Sequence, residues 1–418
     1  MPDMPIPTGI DVYDPYQHPE EWTPEMYKKL EQARDIIEEW YFPNRRQLDR
    51  LGGVLAMTEM SDVHNGMWKA IIDAGFYGRT IPKEYGGPGW NLMQCGLLSA
   101  EITKLAFSPR RDDMFFYGEP WCHILLNWTP DDNVKREYFK RTREGGPCTI
   151  WATDPESGID MGSMRGTARR DGDYYYLNGP KWWMANCSPG PVGLQWHMVL
   201  LKTDTTKRTS GLSLFIVNDD ASGIARGREG DLLGARYGCA RYELLLKDVK
   251  VHKKHLAAPE GKGLYAMVDA MNKHMGNQSF QAVGVQEAAI KIVTEYTSST
   301  IRWDHPLIEY QGVHFPIADM WVNAEASRAI TAKANQLWDE GEVDALHGKW
   351  SILAFRMAAP AALEACLKAL ELMGARGIER EEGWPLEMMY RDSMIFQLYR
   401  TPNIDRKFLA SSLLRKRL

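Results

Sequence analysis

Residues 146–188, GPCTIWATDPESGIDMGSMRGTARRDGDYYYLNGPKWWMANCS, constrain the fold of this chain more than any other stretch. The run Cys148-Thr149-Ile150-Trp151-Ala152 is apolar and of β type, and it breaks at Thr153-Asp154-Pro155. A loop of small residues follows over 156–163. Two further strands then flank an Asp171-Gly172 turn, among them Tyr174-Tyr175-Tyr176-Leu177 and, beyond, Lys181-Trp182-Trp183-Met184-Ala185. Strands around a Gly/Ser/Asp loop make a rigid scaffold with a hydrogen-bonding lip, a common way to build a binding site. An ordinary antiparallel sheet with an aromatic core satisfies the same pattern.

Further apolar runs occur at His197–Leu201, Gly211–Val217 and Tyr242–Leu246, each bounded by Gly, Asp or Lys. That is the signature of short strands in a sandwich or barrel, and it sets a middle β-domain at 146–256. Helical periodicity lies on both sides of it. Ahead of it, residues 1–21 hold five prolines and read as an extended arm. Helices are expected from residue 23 until Pro43, then over 62–74, 92–106, 120–126 and 131–143, giving a helical domain at 22–145. After it, helices are expected over 263–302, 307–338, 343–373, 386–399 and 404–414, a bundle at 257–418.

A chain of 418 residues accommodates three such domains. Its net charge of −5 argues against a nucleic-acid partner, which requires concentrated Lys and Arg. No uncharged apolar run reaches 18 residues, so no membrane span is expected. The acidic, proline-rich start is unlike a signal peptide. Six dispersed cysteines imply neither a disulfide framework nor a metal site. A cytoplasmic protein is the expectation.

The order Trp-Ala-Thr-Asp-Pro (151–155), Gly-Ile-Asp-Met (158–161) and Leu-Asn-Gly-Pro-Lys-Trp-Trp (177–183) resembles the flavin-binding β-domain signature of the acyl-CoA dehydrogenase family. Other elements match in the same order: the loop from Ile81 to Gly89, Leu233-Gly234-Ala235-Arg236, Tyr296 through Gln311, and Arg391-Asp392 before Tyr399. The resemblance covers nearly the whole chain. It implies a mostly α fold with a central antiparallel β-domain between an N-terminal helical domain and a C-terminal four-helix bundle. It also implies FAD as cofactor, an acyl-CoA substrate, an electron-transfer flavoprotein as acceptor, and assembly as a homodimer or homotetramer.

By that resemblance the backbone of Trp151, Ala152 and Thr153 faces the isoalloxazine edge, the Thr153 hydroxyl bonds the ring, and Trp183 packs on its outer face. Arg302, Trp303, Gln311, Glu371, Gly374 and Ala375 correspond to residues that hold the pyrophosphate and adenosine of a neighbouring subunit's flavin. Substrate contacts fall on Ile159, Asn272, Met275 and Tyr399.

Several matched positions depart from the family pattern. Ala185 replaces a hydroxyl residue that donates to flavin N5. Thr300 replaces the pyrophosphate arginine; Arg302, two residues on, points away from it if the helix continues. Above all, Arg400 stands where the family carries its catalytic glutamate, and a guanidinium accepts no proton near neutral pH. Some branches place the glutamate on an earlier helix, where this chain has His274, an imidazole able to act as base. Arg400 retains its backbone amide for the thioester carbonyl, and its side chain suits a substrate carboxylate. The expectation is oxidation of an acyl-CoA bearing a second acidic or polar group, with His274 as base. A flavin-dependent monooxygenase or other non-dehydrogenating member of the superfamily, a non-catalytic subunit of a heteromeric dehydrogenase, and a helical scaffold without flavin are the alternatives.

Overall fold

The computed structural model describes residues 21–109, 114–115, 119–184, 195–238, 241–341, 348–380, 384–398 and 402–414. The expected proline-rich arm therefore lies, except for Glu21, outside the described residues. Three helices of the N-terminal part begin at side-chain caps. The Thr23 hydroxyl accepts from the Met26 amide and starts α1 (Pro24–Ile36), a standard N-cap. The helix buries Met26, Leu30, Ala33 and Ile36 and runs on through a π-helical turn, Ile37–Tyr41, before Pro43. Then come α2 (Arg45–Leu51) and α3 (Gly53–Glu59), two short helices the periodicity does not reveal, parted at Gly52 with φ of 68°. They lead into α4 (Ser61–Asp73). An Asn91–Gln94 capping box opens α5 (Leu92–Ala106). The N-terminal part closes with α6 (Glu119–Asn127) and α7 (Asp132–Arg143), the second capped by the Asp131 carboxylate.

The middle sheet holds β1 (Cys148–Trp151), β2 (Thr167–Asp171), β3 (Tyr174–Met184), β4 (Trp196–Lys202), β5 (Leu212–Asn218), β6 (Ile224–Glu229) and β7 (Tyr242–His252). Its order is β1-β4-β2-β3-β7-β6, with β5 on the other side of β4. The sheet is mixed rather than wholly antiparallel. β1 runs parallel to β4, with Trp151 opposite Val199, because the chain crosses over between them. The strands expected at 174–177 and 181–185 are one strand, its register shifting beside Gly179, where φ is 125°. β6, IARGRE, has no apolar run and pairs only with β7; it was not foreseen.

The C-terminal part begins with α8 (Gly263–Ser299), 37 residues long. It stops at Ser299 instead of reaching Arg302, and a hairpin of β8 (Ile301–Arg302) and β9 (His305–Pro306) turns at Trp303 and Asp304, with φ of 50° and 67°. Then follow α9 (Gln311–Asp339), α10 (Gly348–Met373), the single turn α11 (Ala375–Ile378), α12 (Leu386–Leu398) and α13 (Pro402–Leu414). Ala282, Val285, Ala289, Ile292 and Val293 of α8 pack with Ile352, Phe355, Ala358, Ala362 and Cys366 of α10 in the bundle core. α10 is long and apolar enough to cross a membrane, yet it buries that alanine face in this core, as the core helix of a bundle does.

Ion pairs fasten the three parts together. Arg391 of α12 grips Asp49 of α2 through two bonds of 2.7 and 3.2 Å, holds Glu387 at 2.7 and 3.0 Å, and donates to the Leu233 carbonyl. Burial works against its charge, but Glu387 and Asp49 outweigh it and hold the guanidinium above its usual range. Beside it, Asp392 accepts from the Ala235 amide and the Ser108 hydroxyl, joining sheet, bundle and N-terminal helices. Gly234 lies so close that a Cβ there would come within 2.1 Å of the Arg391 carbonyl oxygen. Arg391→Met leaves Asp49 buried without its cation, a loss of about 3–5 kcal/mol. The expected outcome is a clear drop in the urea midpoint; an unchanged midpoint would show that the seam does not depend on this pair.

Candidate active site

One wall of a cleft comes from the loop after α4 and from α5: Thr80, Pro82, Leu92 and Cys95. Cys122, His123 and Leu126 of α6 form the second wall, and Lys273, His274 and Asn277 of α8 the third.

Each wall is fixed by its own bonds. The Asp339 carboxylate, at the end of α9, accepts from the amides of Leu92 and Met93 at 2.8 and 2.9 Å, capping α5 from another part of the chain. Burial raises the Asp339 carboxyl above its usual range. Asp269 of α8 accepts from His123 Nε2 and Trp128 Nε1, both at 2.8 Å, and so ties α6 to α8. Asn127 Nδ2 donates to His123 Nδ1 at 3.0 Å, which leaves the proton on Nε2. The His274 ring lies 6.5 Å from that of Trp121.

The sheet abuts the same region. Ala152, at the end of β1, shares a core cluster with Ala266, Met267 and Ala270 of α8. Trp151 contributes backbone only, since its indole is buried and donates to His197 Nδ1 at 3.1 Å. His197 in turn contacts Asp219 at 2.8 Å, and Asp219 is gripped by Arg226. Thr153 is half-buried, and its carbonyl accepts from the Trp182 amide at 2.8 Å. The turn beyond is held by Asp154, 3% exposed, whose carboxylate accepts from the amides of Arg165 and Gly166 and from Lys181 Nζ at 2.6 Å. Arg228 stacks over Trp182 at 4.4 Å.

The expected site residues do not all meet. Of the α8 group, His274 lines the cleft, whereas Asn272 abuts Gly348 and Met275 is buried in the bundle core; neither lines the cleft. Ile159 is exposed on its loop. Ala185, Tyr399, Arg400 and the side chain of Trp183 lie outside the described residues.

Arg302, Trp303, Gln311, Glu371, Gly374 and Ala375 are all exposed, at the far end of the bundle. Tyr296 near the end of α8 and Met373 at the end of α10 share a core cluster there. α8 begins against β5 and runs 37 residues, ~55 Å, to that end. Within one chain these residues and Thr153 are therefore too far apart to hold one dinucleotide. Because the helix stops at Ser299, the backbone from Thr300 is extended, and Thr300 and Arg302 share a face. Arg302 thus presents a cation where the helical expectation turned it away, and no carboxylate among the described residues pairs with it.

Three family models match almost the entire chain: acyl-CoA dehydrogenase N-terminal domain over residues 23–142, middle domain over 149–249 and C-terminal domain over 261–414. The chain belongs to the acyl-CoA dehydrogenase family. It is 28% identical over 400 residues to the 3-(aryl)acrylate reductase of Clostridium sporogenes, covering 94% of this chain and 98% of that one. It is 29% identical over 349 residues to subunit CarC of the caffeyl-CoA reductase–Etf complex of Acetobacterium woodii, covering 82% and 88%. Butyryl-CoA dehydrogenase from Megasphaera elsdenii has the same fold, with a TM-score of 0.83 at 23% identity, covering 94% and 99%.

Members of this family are FAD-dependent oxidoreductases. The residues present fit that cofactor: Arg302 is an exposed guanidinium that pairs with no carboxylate among the described residues, Gln311 is an exposed amide, and Gly374, φ 62° with open space around it, lets backbone approach a ligand.

The Asp154–Lys181 pair, which the sequence reading passed over although both residues lie in the quoted motif, holds the turn next to Thr153. Asp154→Asn leaves the Lys181 ammonium buried without a counter-charge, at a cost of about 3–5 kcal/mol. A lower urea midpoint and a lower ratio of bound FAD to protein are expected; normal values of both would remove this role. In the parent protein burial pushes Lys181 down to about 8 from 10.5, with Asp154 opposing the shift. Between those values the unfolded chain binds the extra proton, so this lysine makes stability rise with pH by about 3 kcal/mol across the window. A flat or falling unfolding free energy from pH 8 to 10.5 would count against it.

Proposed function

We propose that the protein oxidises the α,β bond of an acyl-CoA thioester that carries a second acidic or polar group. The observation supporting this reading is that His274, the imidazole at the position of the alternative family base, lines the cleft enclosed by α5, α6 and α8. FAD, when bound, supplies the hydride acceptor for the β-carbon. His274 takes the α-proton on an imidazole nitrogen, and the electrons of that C–H bond form the Cα=Cβ bond. The cleft walls exclude water and hold the acyl chain extended between the imidazole and the sheet edge. In the reverse direction, the one named for the two reductases above, the same imidazole delivers the proton.

The partner assignments follow from the same reading. Relatives include a subunit of a complex with Etf, which favours an electron-transfer flavoprotein as acceptor. The two groups of flavin-contacting residues at opposite ends of α8 require a second copy of the chain to meet, which favours a homodimer or homotetramer. Exposed Trp303, Phe315, Trp321, Val322 and Ile378 supply apolar surface for that assembly. The described cysteines are buried and form no disulfide with one another, as suits a reducing compartment such as the cytoplasm.

The purified protein is expected to be yellow and to bleach anaerobically with a suitable acyl-CoA. His274→Ala is expected to bind FAD normally and to slow that bleaching by about 10²–10⁴-fold. Undiminished flavin reduction by the variant would remove His274 as the base.

A further inference from the structure

Three polar groups in the cleft have no partner among the described residues. The Lys273 ammonium makes no hydrogen bond or ion pair there; Asp339 and Asp269 are near enough to attract it but form no ion pair with it. Asn277 is 7% exposed, and its Oδ1 is buried without a hydrogen bond. The Thr80 hydroxyl is likewise buried and unbonded. All three residues line the same cavity, Lys273 and Asn277 one helical turn apart on one face of α8, Thr80 from the opposite wall. Elsewhere in that cleft the polar groups are satisfied: His123 is held by Asp269 and Asn127, and the starting amides of α5 by Asp339.

Unmade hydrogen bonds of buried groups are costly. Lys273 is half-buried, and burial lowers it from its usual value, with Asp339 opposing the shift. The Lys273 ammonium, the Asn277 carboxamide N–H₂ and the Thr80 hydroxyl are donors on the walls of one cavity, so together they fit an anionic acceptor with two oxygens, in which Asn277 Oδ1, itself an acceptor, takes no part. We propose that this cluster is the subsite for a carboxylate at the far end of the acyl group, so that the substrate is the CoA thioester of a dicarboxylic acid. The inference rests on the reading of this cleft as the acyl site, and it assigns the carboxylate to Lys273, Asn277 and Thr80 rather than to Arg400. Lys273 is then a specificity residue, and His274, its neighbour, keeps the proton transfer.

The test measures binding to the FAD-loaded protein by calorimetry, with glutaryl-CoA and adipyl-CoA set against pentanoyl-CoA and hexanoyl-CoA. The wild-type protein is expected to bind the dicarboxylyl thioesters at least tenfold more tightly. Lys273→Met is expected to weaken them by about 10–100-fold, the worth of one to two charge-assisted hydrogen bonds, and to leave the monocarboxylyl thioesters unchanged. Asn277→Ala is expected to lose less in the same direction. Lys273→Gln, which keeps a donor without the charge, guards against misfolding of the methionine variant. Equal affinities for glutaryl-CoA and pentanoyl-CoA in the wild type, or an unchanged ratio in both Lys273 variants, would overturn the proposal. Flavin bleaching recorded on the same samples separates the two readings. Tight glutaryl-CoA binding without bleaching sinks the dehydrogenase reaction but keeps the subsite, and bleaching by pentanoyl-CoA with no dicarboxylate preference does the reverse.

Discussion

The length and burial of α8 govern the rest of this structure. From Met275 to Ile290 the helix is buried on every side, with α5 and α6 on one flank, α9 and α10 on another, and the sheet at its start. A helix enclosed all round serves as the shared wall of every layer that touches it. Gly276 and Gly284 allow the closest approaches: a Cβ at Gly284 would stand 2.3 Å from the Ala100 carbonyl oxygen. The same rod carries Asp269, Lys273 and His274 on its opening stretch and Asn277 at the start of its enclosed part. Its ~55 Å length keeps the sheet edge and the hairpin at Arg302 apart. One element thus positions the cleft and keeps the two groups of residues at opposite ends of the chain's longest helix.

Where the layers meet, the chain buries charge in closed sets. Arg391 joins Asp49 and Glu387; Glu287 of α8 pairs with Arg328 of α9 and lies near Lys104, itself bonded to Glu101; Lys181 joins Asp154. Such pairs gain little net stability over apolar packing, but removing one member is expensive. They therefore act as registers, fixing which face of each helix meets its neighbour. Lys273 differs from these sets in forming no ion pair among the described residues.

Of the two imidazoles that line the cleft among the described residues, His123 is held by Asp269 and Asn127, and His274 belongs to α8. Relocating a base from one helix to another alters the chemistry little if both helices face the same cavity, because proton transfer depends on reach and orientation rather than on chain position. Lys273 puts a cation next to His274 in the sequence and on the same cleft, which makes the cleft more hospitable to negative charge than an aliphatic acyl pocket would be.

The three-part layout was legible in the sequence because each part has its own period: 3.6 residues in the flanks and short β-runs between Gly and Asp in the middle. The boundaries of α5 could be read from Asn91 and Gln94, since a cap is a local bond. The parallel pairing of β1 with β4 could not be read, nor the fusion of two strands at Gly179, because register depends on partners far along the chain. The end of α8 at Ser299 escaped for a similar reason: Trp303 and Asp304 adopt left-handed backbone that no periodicity announces. His274 could be singled out from its motif, since order along the chain carries it. Its companions Thr80, Cys122 and His123 lie 150 residues or more away in sequence, and only the packing of three helices brings them into one cavity. Sequence alone determined which residue types this protein has for binding a flavin and moving a proton; tertiary structure decided which buried donors remain without a partner, because burial and pairing are properties of neighbours in space.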